Sequence, residues 1–266
     1  MDLSNIGNSC FCAAALRAFL ALRFAEGEVS GSDHPAAAAV RDAARGSRRG
    51  FADFCAWSRS RLGMAPGSLE KGDAGEVLWA LAEAVARDGF EIRYAAHGPL
   101  GPPAAARWRS DLRGFVATGR DGAGVGDLAG AALREAAEEV RSEALSRLGP
   151  GARRRACVSL ALPRGLAVTL ASPCRASFPA EARVTLPGTT AEYAVRAAVL
   201  YDGSARGGGH YRAAEFLPGR VVLHDDGSSR GYSVGGPDGD FELEGVTCVV
   251  LEASERAASG RVRRPR

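Results

Sequence analysis

The sequence has a single lysine, Lys71, among 34 basic residues, and no CxxC pair among its six cysteines. It also lacks any apolar run of about 18 residues, the length a helix needs to cross a bilayer. Each absence excludes something. Without paired cysteines there is no zinc ribbon and no dense disulfide scaffold. Without an apolar span no transmembrane helix is expected. The opening MDLSNIGNS has neither the basic n-region nor the apolar h-region of a signal peptide. The expected home is the cytosol or nucleus, where thiols stay reduced. The lysine deficit matches a GC-rich coding style, in which arginine and alanine both abound. A net charge of +3 is too small to point to nucleic acid.

What remains is an ordinary globular composition, 46% hydrophobic and 24% charged over 266 residues, enough for one large domain with a buried core. The character of the chain changes near its middle. Residues 10–25, 36–45, 48–63, 72–88 and 125–151 read as helices. Leu16, Phe19, Leu20 and Phe24 mark the inner face of the first, and Val77, Leu78, Leu81 and Val85 that of the fourth. Residues 91–126 are rich in Gly and Pro and show little period. From 156 onward the β-rich runs 156–162, 165–171, 180–186, 191–201, 210–216, 219–225 and 245–253 are separated by Gly, Pro, Asp and Ser. This segregation predicts an α+β fold, with a helical lobe (about 1–150) packed on an antiparallel β lobe (about 151–255) and a basic, flexible tail at 256–266. A monomer without cofactor is expected.

Cys10 opens the first helix. The first turn of a helix offers unpaired N–H groups and the positive end of the dipole, and both favour a thiolate, the nucleophilic form. A buried packing role is the plain alternative. Cys12 has no such rationale and is expected to face the core. A thiolate needs a base. His34 and His97 sit in loop-like stretches and are expected to be solvated. His210 follows three glycines and begins a strand. Asp225 and Asp226 end the next strand, and a hairpin of 210–216 with 219–225 would bring Asp225 level with His210, as a base requires of its orienting acceptor. Asp226 would then face the loop side. On their own, Asp225 and Asp226 read equally as a plain turn.

These residues carry a resemblance. NIGNSCF (5–11) resembles the cysteine box N-L-G-N-T-C-Y of the ubiquitin-specific proteases, papain-like cysteine deubiquitinases. KGDAGEVLWAL (71–81) is similar to their second box, Q-Q-D-A-x-E-F-L. EYAVRAAVLYDGSARGGGHYRA (192–213) resembles the histidine box, and LHDD (223–226) the F-D-D that supplies a third residue. LPRGLAVTL (162–170) and TCVVLEA (247–253) resemble two further strands, all in family order.

The resemblance implies a papain-like fold and cleavage after the C-terminal glycine of ubiquitin or a ubiquitin-like protein. Cys10 falls on the nucleophile, His210 on the base and Asp225 on its orienter, with Asp226 secondary. Asn5 falls on the oxyanion-hole donor. Asp73, Gly208, Gly209 and Tyr211 fall on positions that meet the substrate tail. Asp73 also fits an N-cap, and glycines 207–209 suit a channel that passes only Gly-Gly. There are departures. Gly72 stands where the family has glutamine, and His224 stands near its phenylalanine as a packing substitute. Residues 90–155 replace the zinc fingers without a CxxC pair, so the fingers are expected to shrink to a helix and a loop, with no metal. A non-cleaving ubiquitin-binding module and a papain-fold peptidase or transglutaminase with another substrate remain alternatives.

Overall fold

The computed structural model describes residues 3, 6–65, 70, 72–85, 93–97, 108–109, 115–117, 121–146, 157–161, 164–179, 181–186, 189–203, 208–226, 228–233 and 241–253. Asn5 and the basic tail lie outside these residues.

Among the described residues, five helices lie in the N-terminal part. α1 (Cys10–Leu20) is shorter than the periodicity predicts, because the chain turns at 21–24 before α2 (Ala25–Ser30). All of α1 except Arg17 and Leu20 is buried, the pattern of a central helix covered on every side. α3 (Pro35–Ala44) starts with Pro35 at its first position, where the missing N–H costs nothing. α4 (Arg48–Arg61) is capped by Ser47, whose hydroxyl accepts from the Gly50 N–H at 3.0 Å. In α5 (Ala74–Val85) the predicted stripe Val77, Leu78, Leu81 and Val85 is buried as expected.

Strands follow: β1 (Arg93–His97), β2 (Trp108–Arg109), β3 (Phe115–Ala117) and β4 (Ala123–Gly124) lead to the long helix α6 (Val125–Ser146). Then come β5 (Cys157–Ala161), β6 (Gly165–Phe178), β7 (Glu181–Leu186), β8 (Thr189–Asp202), β9 (His210–Leu217), β10 (Arg220–Asp225), β11 (Ser228–Ser233) and β12 (Phe241–Ala253). The main sheet runs β11-β10-β9-β8-β12-β6-β3, with β4 beside β6 and β7 beside β8. The β-lobe strands pair antiparallel; β3 and β4 join β6 in parallel.

Both faces of this sheet are covered, which is why runs such as TCVVL are apolar without alternation. Tyr211, Ala213, Ala197, Val199, Cys248 and Val250 join the core under the helices. Ala214, Ala198, Leu200, Val249 and Leu251 join a second core on the other face, shared with Val125, Leu128 and Ala132 of α6. Glu252, 5% exposed, ties the lobes together: it accepts from Arg196 Nε at 2.7 Å and from the backbone N–H of Arg23, in the α1–α2 turn, at 3.0 Å.

Two expectations are corrected. The finger-like region is more than a helix and a loop. β1 pairs antiparallel with β2 and with β5, forming a separate three-stranded sheet. The partners β1 and β5 are far apart in sequence, and a Gly/Pro-rich stretch without period-2 alternation gives no local sign of such pairing. His97, read as a loop residue, is the last residue of β1. His34, expected to be solvated, is half-buried. Its Nδ1 accepts from the Ala36 N–H at 3.1 Å, capping α3, and its ring meets Trp57 edge-on at 6.0 Å.

Candidate active site

The approach to Cys10 is a tight turn. Gly7 and Asn8 both take left-handed conformations (φ 55° and 58°), which glycine adopts freely and asparagine better than most. Ser9 closes the turn, its hydroxyl accepting from the Ile6 N–H at 2.8 Å. The Ala13 N–H donates to the Ser9 carbonyl at 3.0 Å, starting α1 with Cys10 at its first position. From α4, the Arg59 guanidinium donates to the Gly7 carbonyl and lies 5.9 Å from the Phe11 ring centroid. Cys10 is 2% exposed. Cys12 lies in the core as expected, beside Cys55 and Ser58, and burial, followed by the Cys55 thiol, pushes its own thiol well up.

Gly72 explains itself here. A Cβ at this position would come within 2.6 Å of the Phe11 ring and 2.9 Å of Leu62 and Met64. The space of the expected glutamine side chain is filled by the residue after the cysteine.

Across from α1, β9 packs against it. His210 begins β9, opposite Asp202 of β8. Its Nε2 lies 2.6 Å from Asp225 Oδ1 at the end of β10. The pair is diagonal rather than level. β10 pairs His224 with Ala213, so the next step sets Asp225 against Arg212, one same-face position from His210. Asp226 does not turn to the loop side. It leaves the strand at φ 48°, and its Oδ2 stands 4.0 Å from the same His210 Nε2. Adjacent residues on a regular strand face opposite ways; the left-handed residue breaks that rule and lets both carboxylates approach one imidazole.

Asp73 caps its helix, as its position predicts. Oδ1 accepts from the Glu76 N–H at 3.0 Å, capping α5, while Oδ2 accepts from the Tyr211 hydroxyl at 3.3 Å. Burial, reinforced by the Asp73 carboxylate, holds the Tyr211 phenol protonated well above its usual range. Cys10 and Tyr211 lie in one buried cluster.

Set against solved structures, this architecture has clear counterparts. No protein-family model and no curated protein matches the chain. The SAGA DUB module Ubp8/Sgf11/Sus1/Sgf73 bound to monoubiquitin is similar with a TM-score of 0.59, over 96% of this chain and 69% of that chain, at 13% identity. The same module bound to ubiquitin aldehyde gives 0.58, over 96% and 69%, at 13% identity. A yeast SAGA module gives 0.59, over 96% and 68%, also at 13% identity. The chain has the papain-like fold of Ubp8. At this identity the likeness to Ubp8 is one of fold.

Within that Ubp8-like fold, the two described glycines before His210 differ in their surroundings. Gly208, at φ 109°, is exposed with open space beside it. Gly209 is buried, and a Cβ there would fall 2.0 Å from the Tyr201 ring. A Cβ at Gly203 would fall 2.2 Å from the same ring. The room that a side chain at Gly209 would need is taken by the protein's own tyrosine. Tyr201 packs tilted against Tyr211, with ring centroids 4.8 Å apart, and so braces the start of β9. Sequence reasoning missed it; only the alternation of β8, which sets Tyr201 opposite Tyr211, could have signalled it.

His224 is buried as a packing residue should be, yet both ring nitrogens are engaged. Nδ1 meets Ser229 Oγ at 2.8 Å and Nε2 meets Glu215 Oε2 at 3.0 Å. The hydrogen bond from His224 holds the Glu215 carboxyl below its usual value despite its partial burial, with Arg17 and Arg220 adding to the pull.

Proposed function

We propose that this chain is a cysteine-type deubiquitinase that hydrolyses the bond after the C-terminal glycine of ubiquitin or a ubiquitin-like protein. The observation that carries the reading is the 2.6 Å His210–Asp225 pair, at the mouth of a strand packed on the helix that begins with Cys10, in the fold of Ubp8. With Asp225 accepting at Nε2, the proton of neutral His210 sits there and Nδ1 is left as the base. Cys10 Sγ attacks the carbonyl carbon and its proton passes to His210. The oxyanion is met by N–H groups at the start of α1, and the family resemblance adds Asn5 as a further donor. The tetrahedral species collapses, the amine leaves with the proton from His210, and a thioester remains. Water, deprotonated by His210, cleaves the thioester, releasing the carboxylate and restoring the thiol. Losing one oxyanion donor in such a reaction costs about 3–4 kcal/mol of barrier. Asp73, Tyr211, Gly208 and Gly209 line the proposed path of the ubiquitin tail.

The burial of Cys10 favours one second reading, a ubiquitin-binding module that does not cleave. A ubiquitin bearing a C-terminal propargyl electrophile separates the two. Covalent capture that vanishes in Cys10→Ala supports the hydrolase. Binding of ubiquitin without capture supports the module, and the absence of both binding and capture refutes both readings.

A further inference from the structure

A second consequence follows from the two carboxylates at His210. His210 Nε2, Asp225 and Asp226 each offer one ligand atom, and these lie within 4.8 Å of one another, the one such group among the described residues. We propose that these three side chains form a binding site for a borderline divalent transition ion, zinc foremost. The site is separate from any structural finger.

The geometry needs little adjustment. Bonds of about 2.0–2.2 Å in tetrahedral array set ligand atoms about 3.4 Å apart. The observed separations from His210 Nε2, 2.6 Å to Asp225 Oδ1 and 4.0 Å to Asp226 Oδ2, bracket that value. Rotations of the two short carboxylates close one gap and open the other. All three side chains reach solvent, at 35%, 50% and 25% exposure, so an ion can enter and keep a water as its fourth ligand. Arg212, two residues along β9 from His210, is engaged by Asp202 at 3.4 Å. One imidazole with two carboxylates suits zinc, cobalt or nickel and disfavours magnesium and calcium. A search for cysteine spacing passes over such a site because it contains none.

The ion and the hydrogen bond compete for the same nitrogen. A metal on Nε2 requires that nitrogen's lone pair, so the imidazole proton moves to Nδ1 with no net gain or loss of protons. Nδ1 then becomes a donor and no longer a base. On the reading of the function above, the ion switches hydrolysis off without touching Cys10.

The test is made in Cys10→Ala protein, where neither hydrolysis nor ligation by that thiol contributes, so its failure is distinct from failure of the proposed reaction. Titration calorimetry with zinc chloride should show one saturable site that magnesium does not occupy. His210→Ala should abolish it, and Asp226→Asn should weaken it at least about tenfold, since even outer-shell partners of a metal command that much. Asparagine tolerates the left-handed backbone at 226, and a melting curve checks the fold of each variant. Cobalt should give visible d–d bands without the intense sulfur charge-transfer band of thiolate ligation. Unchanged affinity in His210→Ala and Asp226→Asn, a sulfur band, or no binding at all overturns the proposal.

Discussion

Asp225 reaches His210 across a diagonal of the β9–β10 hairpin, one same-face position away from the residue it pairs with, at 2.6 Å. Its neighbour Asp226 reaches the same nitrogen only to 4.0 Å, and only because its backbone is left-handed. The difference in distance sets their expected roles. Asp225→Asn turns an acceptor into a donor at Nε2 and upsets the tautomer. The equivalent change in a serine triad costs about ten-thousand-fold, and a thiol–imidazole pair, needing less help, should lose less. Turnover of a ubiquitin C-terminal fluorogenic amide should fall further in Asp225→Asn than in Asp226→Asn, with equal melting curves. The reverse order would transfer the orienting role to Asp226.

Cys10 begins a helix and Cys12 lies among Cys55 and Ser58 with its thiol pushed up by burial. Only the first should react. A ubiquitin electrophile should label wild-type and Cys12→Ala protein and leave Cys10→Ala unlabelled, read by intact-mass spectrometry. A labelled Cys10→Ala protein would place the nucleophile elsewhere.

Arg59 reaches the turn before Cys10 from another helix, holding the Gly7 carbonyl while its guanidinium lies over Phe11. A hydrogen bond from a charged donor contributes about 1.5–3 kcal/mol. Spent on shaping the N–H groups that meet the oxyanion, the lower figure corresponds to roughly a tenfold loss of rate. Arg59→Ala should therefore lower kcat more than it raises KM, and added guanidinium ion should restore part of kcat. A change confined to Tm, with kcat intact, would make Arg59 a stabilising residue alone.

Glu215 is held below its ordinary carboxyl value by His224, with Arg17 of α1 and Arg220 of β10 also facing it. A lowered native value means stability that is present above the unfolded value and lost as pH falls through the native one. Glu215→Gln should thus melt below wild type near neutrality, and the gap should narrow as the pH drops below the ordinary 4.5. A gap that stays constant into acid would show that the carboxylate charge contributes nothing.

Much of this was written locally. The stripe Val77, Leu78, Leu81 and Val85, the cap at Asp73 and the start of α1 at Cys10 depend on residues within a turn or two of each other, so the sequence by itself determined them. The β9–β10 hairpin was legible for the same reason, since only two residues separate its strands. Tertiary structure decided the rest. β1 chose β5 as its partner across about sixty residues. Tyr201 took the space at Gly209, and Phe11 took the space at Gly72. Asp226 turned toward His210 through one backbone angle. Such contacts depend on which surfaces meet once the lobes pack, and periodicity along a chain records only which face of an element is apolar, not what comes to cover it.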